Sequence, residues 1–587
     1  MKAKKAHDNR KPETAPRRWP YYAAALAAVI LVFWAYGPAM NGPFLFDDTA
    51  LPFALPAFKA PLINWLKADV RPVLFSTYYL NAQISQSDPY SFHVVNIIVH
   101  LLSTGLIFLI VRRLVLMSRD HLGPVANDPN LLSGFAAAIF LLHPVQTEAV
   151  AYLAGRSESL SAMFGLAAFA VFLYRKQAAA TWGVAVAVLL LFGLALGSKQ
   201  NAIALPALLL LTDYWWNPGF SLQGIRANWK VYLPMVVGAV AGLAFFWRVI
   251  MTAQTAGFGM KDLTWYQYFF TQCRALWVYL GMFLLPSNLT ADWDFSISRT
   301  VVDHGAIFGL IFLVAAVASA WYYRRRFPLA SFGLFVFLVM MAPTSSILPI
   351  RDPIAERRLY SAIIGLLLIV VDLLSRVKIE RKVLVAACTA VVLLAAWGTH
   401  ARAAVWSDPI LLWEDTAHKA PNKRRVRFQL GMAYFSSDPP DYQRAIGEFE
   451  KAADLEPADY NLLIDWGLAY DGLNRPNDAI AKLRAAAMKE PTAHVYTQIA
   501  VVYAKRSQWE QALDALETAK RIDASFPPTY FYKGQIFLTL GRCAEAKIEF
   551  EQALRFAPDQ WGGSGNLRPQ AQQSYLKTLQ CLQSAAH

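Results

Sequence analysis

Residues 140–164 read FLLHPVQTEAVAYLAGRSESLSAMF. One apolar run ends at Pro144 and another begins after Glu158, and His143, Glu148, Arg156 and Glu158 lie between them. A lone histidine there is more often a satisfied helix-end residue. Four ionisable groups in one short connection are harder to explain as packing, because such groups at membrane depth are costly and usually functional. The stretch points to a membrane helix bundle with a polar site at one surface.

The rest of the chain agrees. Of its 587 residues, 56% are hydrophobic and only 16% charged, too apolar a balance for an ordinary soluble protein. The apolar runs stop near His400, and from about residue 405 the chain is charged, Ala-rich and helix-periodic. The expected organisation is all-α: a cytoplasmic basic tail (1–19), a polytopic membrane helix bundle (20–404), a repeat module (405–560) and a C-terminal capping helix (561–587). The net charge of +14 needs no nucleic acid, since much of it lies in short clusters beside apolar runs, the usual topology signal. Cys273, Cys388, Cys543 and Cys581 show no CxxC spacing, which argues against a zinc site or a disulfide framework and leaves only a Cys543–Cys581 bridge open.

About eleven candidate spans lie near 20–40, 92–112, 131–143, 157–174, 180–197, 200–214, 231–251, 303–323, 329–347, 357–375 and 383–400. The first follows a basic segment and has no clear cleavage site, so it reads as a retained span with the N-terminus in the cytoplasm. The clusters Arg112/Arg113/Arg119, Arg175/Lys176, Arg226/Lys230, Arg324–Arg326 and Arg376/Lys378/Arg381/Lys382 then fall inside, provided that 265–286 is re-entrant or surface-lying rather than spanning. Its Gln267, Gln272 and Arg274 fit that condition. The repeat module is then external.

The same topology gathers five polar loops outside, among them the opening stretch and LLPSNLTADWDFS (284–296). In GPFLFDDTALP, from Gly42, Asp47 and Asp48 would be a solvated loop that caps a helix, or a general base or metal-positioning carboxylate. In GSKQN, Lys199 would snorkel to the interface or bind an anion such as a lipid phosphate. In RDPIAERRLY, Arg351, Glu356, Arg357 and Arg358 precede a span, and the basic members run against the positive-inside trend, which favours holding a phosphate. His93, Asn96 and His100 share one helix face and suit interhelical hydrogen bonding better than metal binding. No P-loop, GxSxG, HExxH or dinucleotide fingerprint occurs in a supporting context.

Residues 426–558 repeat. Ala445, Ala479, Ala512 and Ala546 recur at intervals of about 34, as do Ala452, Ala486, Ala519 and Ala553. Phe449, Leu483, Leu516 and Phe550 follow the same period, and Pro457, Pro491, Pro527 and Pro558 close the units. This is the tetratricopeptide (TPR) pattern in four units, with a partial unit before them, and it predicts an α-solenoid with a concave binding face.

Together, the Asp-Asp pair in the first external loop, HPVQTEAVAYLAGRSES between two spans, AERRLY before a late span and the terminal TPRs resemble one family: the transmembrane and TPR-containing O-mannosyltransferases and their bacterial relatives, of the GT-C glycosyltransferase superfamily. The resemblance implies an inverting enzyme of the bacterial inner membrane. It would move a sugar from a polyprenyl-phosphate carrier to a protein Ser or Thr on the extracytoplasmic side. It assigns Asp47 or Asp48 as the base, Lys199, Arg357 and Arg358 as ligands of the donor phosphate, and His143, Glu148, Arg156, Glu158 and Glu356 as shaping the site. The TPRs would bind the acceptor, and a divalent metal is left open. Two other readings remain. One is a non-enzymatic membrane scaffold whose TPRs recruit envelope proteins. The other is a GT-C ligase or an enzyme that modifies lipid or glycan.

Overall fold

The computed structural model describes residues 19–51, 61–67, 69–122, 127–252, 256–557 and 567–585. The basic tail up to residue 18, Pro558 and the turn that opens the C-terminal segment lie outside the described residues. Among the described residues the chain is helical throughout, with a single isolated bridge between Ala256 and Ile350.

The membrane part begins with α1 (Trp19–Tyr36), the short α2 (Leu62–Lys67) and α3 (Pro72–Ser85), then α4 (Pro89–Leu122) and α5 (Pro129–Leu142). It continues through α6 (Thr147–Ala151), α7 (Arg156–Leu173), α8 (Trp182–Leu196), α9 (Leu205–Trp216), α10 (Gln223–Ala227) and α11 (Trp229–Thr252). The last five are α12 (Trp265–Leu284), α13 (Ala306–Tyr322), α14 (Pro328–Met341), α15 (Leu359–Arg376) and α16 (Arg381–Val405). Every apolar run picked out as a candidate span coincides with one of these helices. Among the described residues, six helices are long and apolar enough to cross a bilayer, and the pair around His143, bent by 49°, would make a seventh. Trp182–Leu196, Trp229–Ala244 and Pro328–Met341 are shorter apolar helices.

Local chemistry sets several of these boundaries. Asp128 caps α5, its carboxylate accepting from Asn130 N–H, and Pro129 fills the first position, where no N–H is required. Helices α14 and α15 meet backbone to backbone. A Cβ on Gly365 would lie 2.4 Å from Gly333 O, so only glycine allows this approach.

The helix ends sort into two layers. In one, Arg175 pairs with Asp213 (2.6 Å), Arg112 donates to Asn130 (2.8 Å), Asn127 donates to Leu374 O (2.8 Å) and Arg381 pairs with Asp128 (3.5 Å). The other layer holds the five polar loops. Helix α12 lies along this second layer. Tyr268 donates to Thr344 O, Gln272 to Pro353 O, and Arg274 to Ser296 O. Near its end, Tyr279 accepts from Ala355 N–H and Phe283 O bonds His143. Both ends and the middle of α12 therefore touch loops of one layer.

The solenoid follows: α17 (Pro409–Lys419), then the pairs α18 (Arg424–Phe435) with α19 (Tyr442–Leu455), and α20 (Tyr460–Gly472) with α21 (Pro476–Lys489). The pairs α22 (Ala493–Lys505) with α23 (Trp509–Ile522), and α24 (Pro527–Thr539) with α25 (Cys543–Phe556), complete it before α26 (Leu567–Ala585). All eight repeat alanines and the four aligned Phe or Leu residues are fully buried. Their partners on the first helices are small, and a Cβ on Gly431, Gly467 or Gly534 would run into Phe449, Leu483 or Phe550. Asp441, Asp459 and Thr492 cap α19, α20 and α22. A disulfide joins Cys543 to Cys581 with Cα atoms 6.2 Å apart, tying α26 to the last pair.

Candidate functional site

Asp47 and Asp48 occupy a 3-10 turn, Phe46–Ala50, at the polar-loop end of the bundle. Phe46 enters the turn at φ +48°, a left-handed backbone that a bulky residue holds only when its surroundings insist. They do: its ring packs against Tyr152, Trp406 and Trp413, which come from the α6–α7 connection, the end of α16 and α17. The turn sends the two aspartates opposite ways. Asp47 is exposed, and its N–H donates to Tyr152 Oη (3.1 Å). Asp48 is 1% exposed and accepts from Leu45 N–H (3.2 Å) and Ala154 N–H (2.7 Å). Burial pushes the Asp48 carboxyl up to about 7 against the pull of those N–H groups, with the Asp47 charge adding to the push.

One helical turn before Tyr152, Glu148 meets Arg357 twice. The Arg357 N–H donates to Oε2 (2.8 Å) and its guanidinium to Oε1. The Glu148 side chain is 3% exposed and that of Arg357 34%, so the arginine is the half of the pair that faces outward. On the other side, Glu158 accepts from Lys199 Nζ (2.6 Å) and from the Asn201 amide (2.6 Å). Burial pulls the Lys199 ammonium below its ordinary range, Glu158 pulls it up, and the charge of Arg357 pulls it down again. Tyr152 lies within electrostatic reach of Asp47, Asp48 and Arg357. Four carboxylates, a tyrosine and two cations, from four separate loops, thus converge on one region.

Other predicted residues sit around it. Glu356 is wholly buried and accepts from Thr290 N–H. His143 marks the bend between α5 and α6: Nδ1 accepts from Val145 N–H, and Nε2 bonds Phe283 O (2.9 Å), so it joins α12 to the bundle. Arg156 is fully buried, donating to Asn96, Asn81 and Phe92 O over the Tyr78 ring. It organises the protein beneath the site. Arg358 turns away to Tyr268 Oη and Pro353 O and stiffens the 352–358 loop. Asn96 and His100 make interhelical bonds, to Val150 O and to Tyr360 and Leu141 O.

The sequence reading missed the aromatic wall. Trp406 and Trp413 follow the last apolar run at the membrane boundary, where aromatic residues commonly gather, and that position was their available signal. It also missed the seat of the solenoid. Arg425 grips Asp292 with two nitrogens (2.6 Å each) and reaches Asp352 (2.7 Å), and Lys423 joins Asp292. No group of three or more His, Cys, Asp or Glu arranged to hold a metal occurs among the described residues.

Comparison with known proteins adds a family likeness. The tetratricopeptide repeat family matches residues 527–560. Protein O-mannosyl-transferase TMTC3 of Mus musculus is 24% identical over 82% of this chain and 56% of its own length. Protein O-mannosyl-transferase F38B6.6 of Caenorhabditis elegans is 24% identical over 69% of this chain and 59% of its own. Protein O-mannosyl-transferase Tmtc1 of Drosophila melanogaster reaches 32%, over 37% of this chain and 24% of its own. The chain spans little more than half the length of the first two relatives. Among solved structures, MamA is 20% identical with a TM-score of 0.23, covering 31% of this chain and 96% of its own. By its likeness over most of its length and its repeats, the chain fits an O-mannosyltransferase-like, TPR-containing family.

Proposed function

We propose that this chain is a membrane glycosyltransferase that passes a sugar from a polyprenyl-phosphate-linked donor to a hydroxyl of a protein. The relatives' names point to mannose and an O-linkage to protein, and the sequence resemblance implies Ser or Thr. The site would face the periplasm from the bacterial inner membrane. The observation that carries the reading is the convergence itself: an exposed aspartate and an outward-facing arginine, tied to different loops, border the same region beneath a peptide-binding type of solenoid.

In this reading Asp47 is the base. It takes the proton of the acceptor hydroxyl as the oxygen attacks the anomeric carbon, and the bond from that carbon to the carrier's phosphate oxygen breaks on the opposite face. The configuration inverts, and the phosphate leaves with the bonding pair. Arg357 and Lys199 meet its growing charge. Asp48 holds the turn through its two backbone bonds, and burial raises its carboxyl to about 7, which favours the protonated form. Arg358 serves by stiffening the loop beside Arg357. A narrow apolar crevice of about 30 Å³, lined by Leu166, Phe169, Leu205, Leu208 and Ile364, begins at Glu158 and Asn201; the helices would have to part there to admit an isoprenoid tail. On the solenoid, a groove of about 440 Å³ lined by Arg484, Met488, Tyr496, Tyr503 and Asp514 suits an extended acceptor segment.

The test supplies labelled polyprenyl-phosphate sugars to membranes holding the wild type or Asp47→Asn at equal expression and follows label into protein. Transfer by the wild type that Asp47→Asn abolishes supports the reading. Equal transfer by both removes Asp47 from the chemistry. Absence of transfer by the wild type, while the solenoid still captures envelope proteins, favours the scaffold.

A further inference from the structure

Glu356 and Arg357 are neighbours in one turn, yet their side chains belong to different networks. Arg357 is bound to Glu148. Glu356 faces Arg402 at the end of α16, its Oε1 3.9 Å from Arg402 Nη2. Arg402, 7% exposed, donates from Nη1 to Asp415 on α17 (2.7 Å). Lys419 pairs with the same carboxylate (2.6 Å) and donates to Leu289 O (2.7 Å). None of these residues has a part in the proposed chemistry. Glu356 and Arg402 are buried, Asp415 and Lys419 half-buried, and buried ionisable groups are expensive and give little net stability, so their best-attested use is to fix one arrangement over others. Here the chain of charges crosses the junction between the membrane part and the solenoid. Helix α16 ends the first, α17 packs on α18 and opens the second, and Glu356 delivers the connection to the peptide unit it shares with Arg357.

We infer that Arg402 and Asp415 are positioning residues for Arg357: the seating of the solenoid sets the Glu356–Arg357 turn, and with it how tightly Arg357 holds a lipid phosphate. The inference rests on the donor role proposed for Arg357. Coupling of this kind is reciprocal, so binding of the lipid phosphate also stiffens the solenoid's seat.

The test measures binding of a polyprenyl phosphate to the full-length protein in lipid nanodiscs by native mass spectrometry, scored on the folded fraction. Arg357→Ala should abolish binding. Arg402→Ala and Asp415→Asn should each weaken it about fivefold, the scale expected within one charge network. Arg402→Lys, which keeps the cation, should restore it to within about twofold. Wild-type affinity in Arg402→Ala and Asp415→Asn, with binding lost in Arg357→Ala, overturns the positioning role and leaves the donor site standing. Wild-type affinity in Arg357→Ala removes the donor role itself. A loss that Arg402→Lys does not rescue shows a structural role only and also overturns the inference.

Discussion

Glu148→Gln tests the site at its best-defined contact. Glu148 uses both oxygens on one residue, Oε2 for the backbone N–H of Arg357 and Oε1 for its guanidinium. Glutamine keeps the shape but has one acceptor oxygen. If that oxygen faces the N–H, the amide N–H₂ faces the guanidinium, donor against donor; the flipped amide reverses the conflict. Breaking a fully buried ion pair costs roughly 3–5 kcal/mol, whereas an exposed pair contributes under about 1 kcal/mol. With Glu148 3% and Arg357 34% exposed, this pair lies between those limits, at about 2 kcal/mol after allowance for solvent screening. That is roughly a 30-fold loss if it falls wholly on the transition state. In the transfer assay with purified protein, kcat/KM for the donor should drop by about that factor, through kcat as well as KM, because Arg357 holds the phosphate and also meets the charge that grows on it as it leaves. Glu148→Asp keeps the charge but falls a methylene short of spanning both donors, and should lie between the two. A Glu148→Gln protein with kcat/KM within about twofold of wild type would refute the reasoning, since it would mean that Arg357 needs no partner to be placed.

Gly365→Ala should lower the melting temperature in detergent, because the new Cβ meets Gly333 O and Phe337 N, backbone atoms that cannot move aside; the cost should be about 1–3 kcal/mol. Gly105→Ala, with open space around it, is the control, and equal melting of the two variants would contradict the packing. Asp48 gives a pH signature. Its carboxyl is raised to about 7 in the folded protein against about 4 unfolded, so its contribution to stability is complete below pH ~4 and is lost as pH rises through 7. The wild type should melt lower at pH 8 than at pH 5.5, and Asp48→Asn should flatten that slope; an unchanged slope would place the titration elsewhere. Because Cys543 and Cys581 are bonded, a maleimide should label neither in unreduced spheroplasts and both after reduction and unfolding. Labelling without reduction would argue against an oxidising compartment for the solenoid.

Periodic features were legible in the sequence because they are local. Apolar runs of span length became helices, and the 34-residue spacing put eight alanines at fully buried helix crossings. The loops of the site were legible through ionisable groups between apolar runs, as in Glu148 and Glu158, and through basic residues that run against the positive-inside trend, as in Arg357. Which charge meets which was not. Glu148 and Arg357 are 209 residues apart, and Asp292 and Arg425 are 133 apart, with no pattern between them. The fate of Arg156 was hidden for the same reason. Its partners Asn81 and Asn96 lie on α3 and α4, and α3 itself lacks the length and uniform apolarity by which the spans were found. The orientation of α12 could be inferred only indirectly, from the side on which Arg324–Arg326 had to fall.

A stack of repeats normally loosens from its ends, because each terminal unit has a neighbour on one side only. This one is held at both. At the start, Lys423 and Arg425 moor it to Asp292 and Asp352. At the finish, the Cys543–Cys581 bond closes a 38-residue loop, about 4 kcal/mol in the chain-entropy account. An array pinned this way has lost its cheap motion, unravelling, and keeps only flexing of the arch as a whole. On the proposed reading its span above Asp47 would work like a fixed ruler: an acceptor gripped in the groove around Tyr496 and Tyr503 would reach the aspartate only if its hydroxyl lay at a set distance along the chain from the gripped segment.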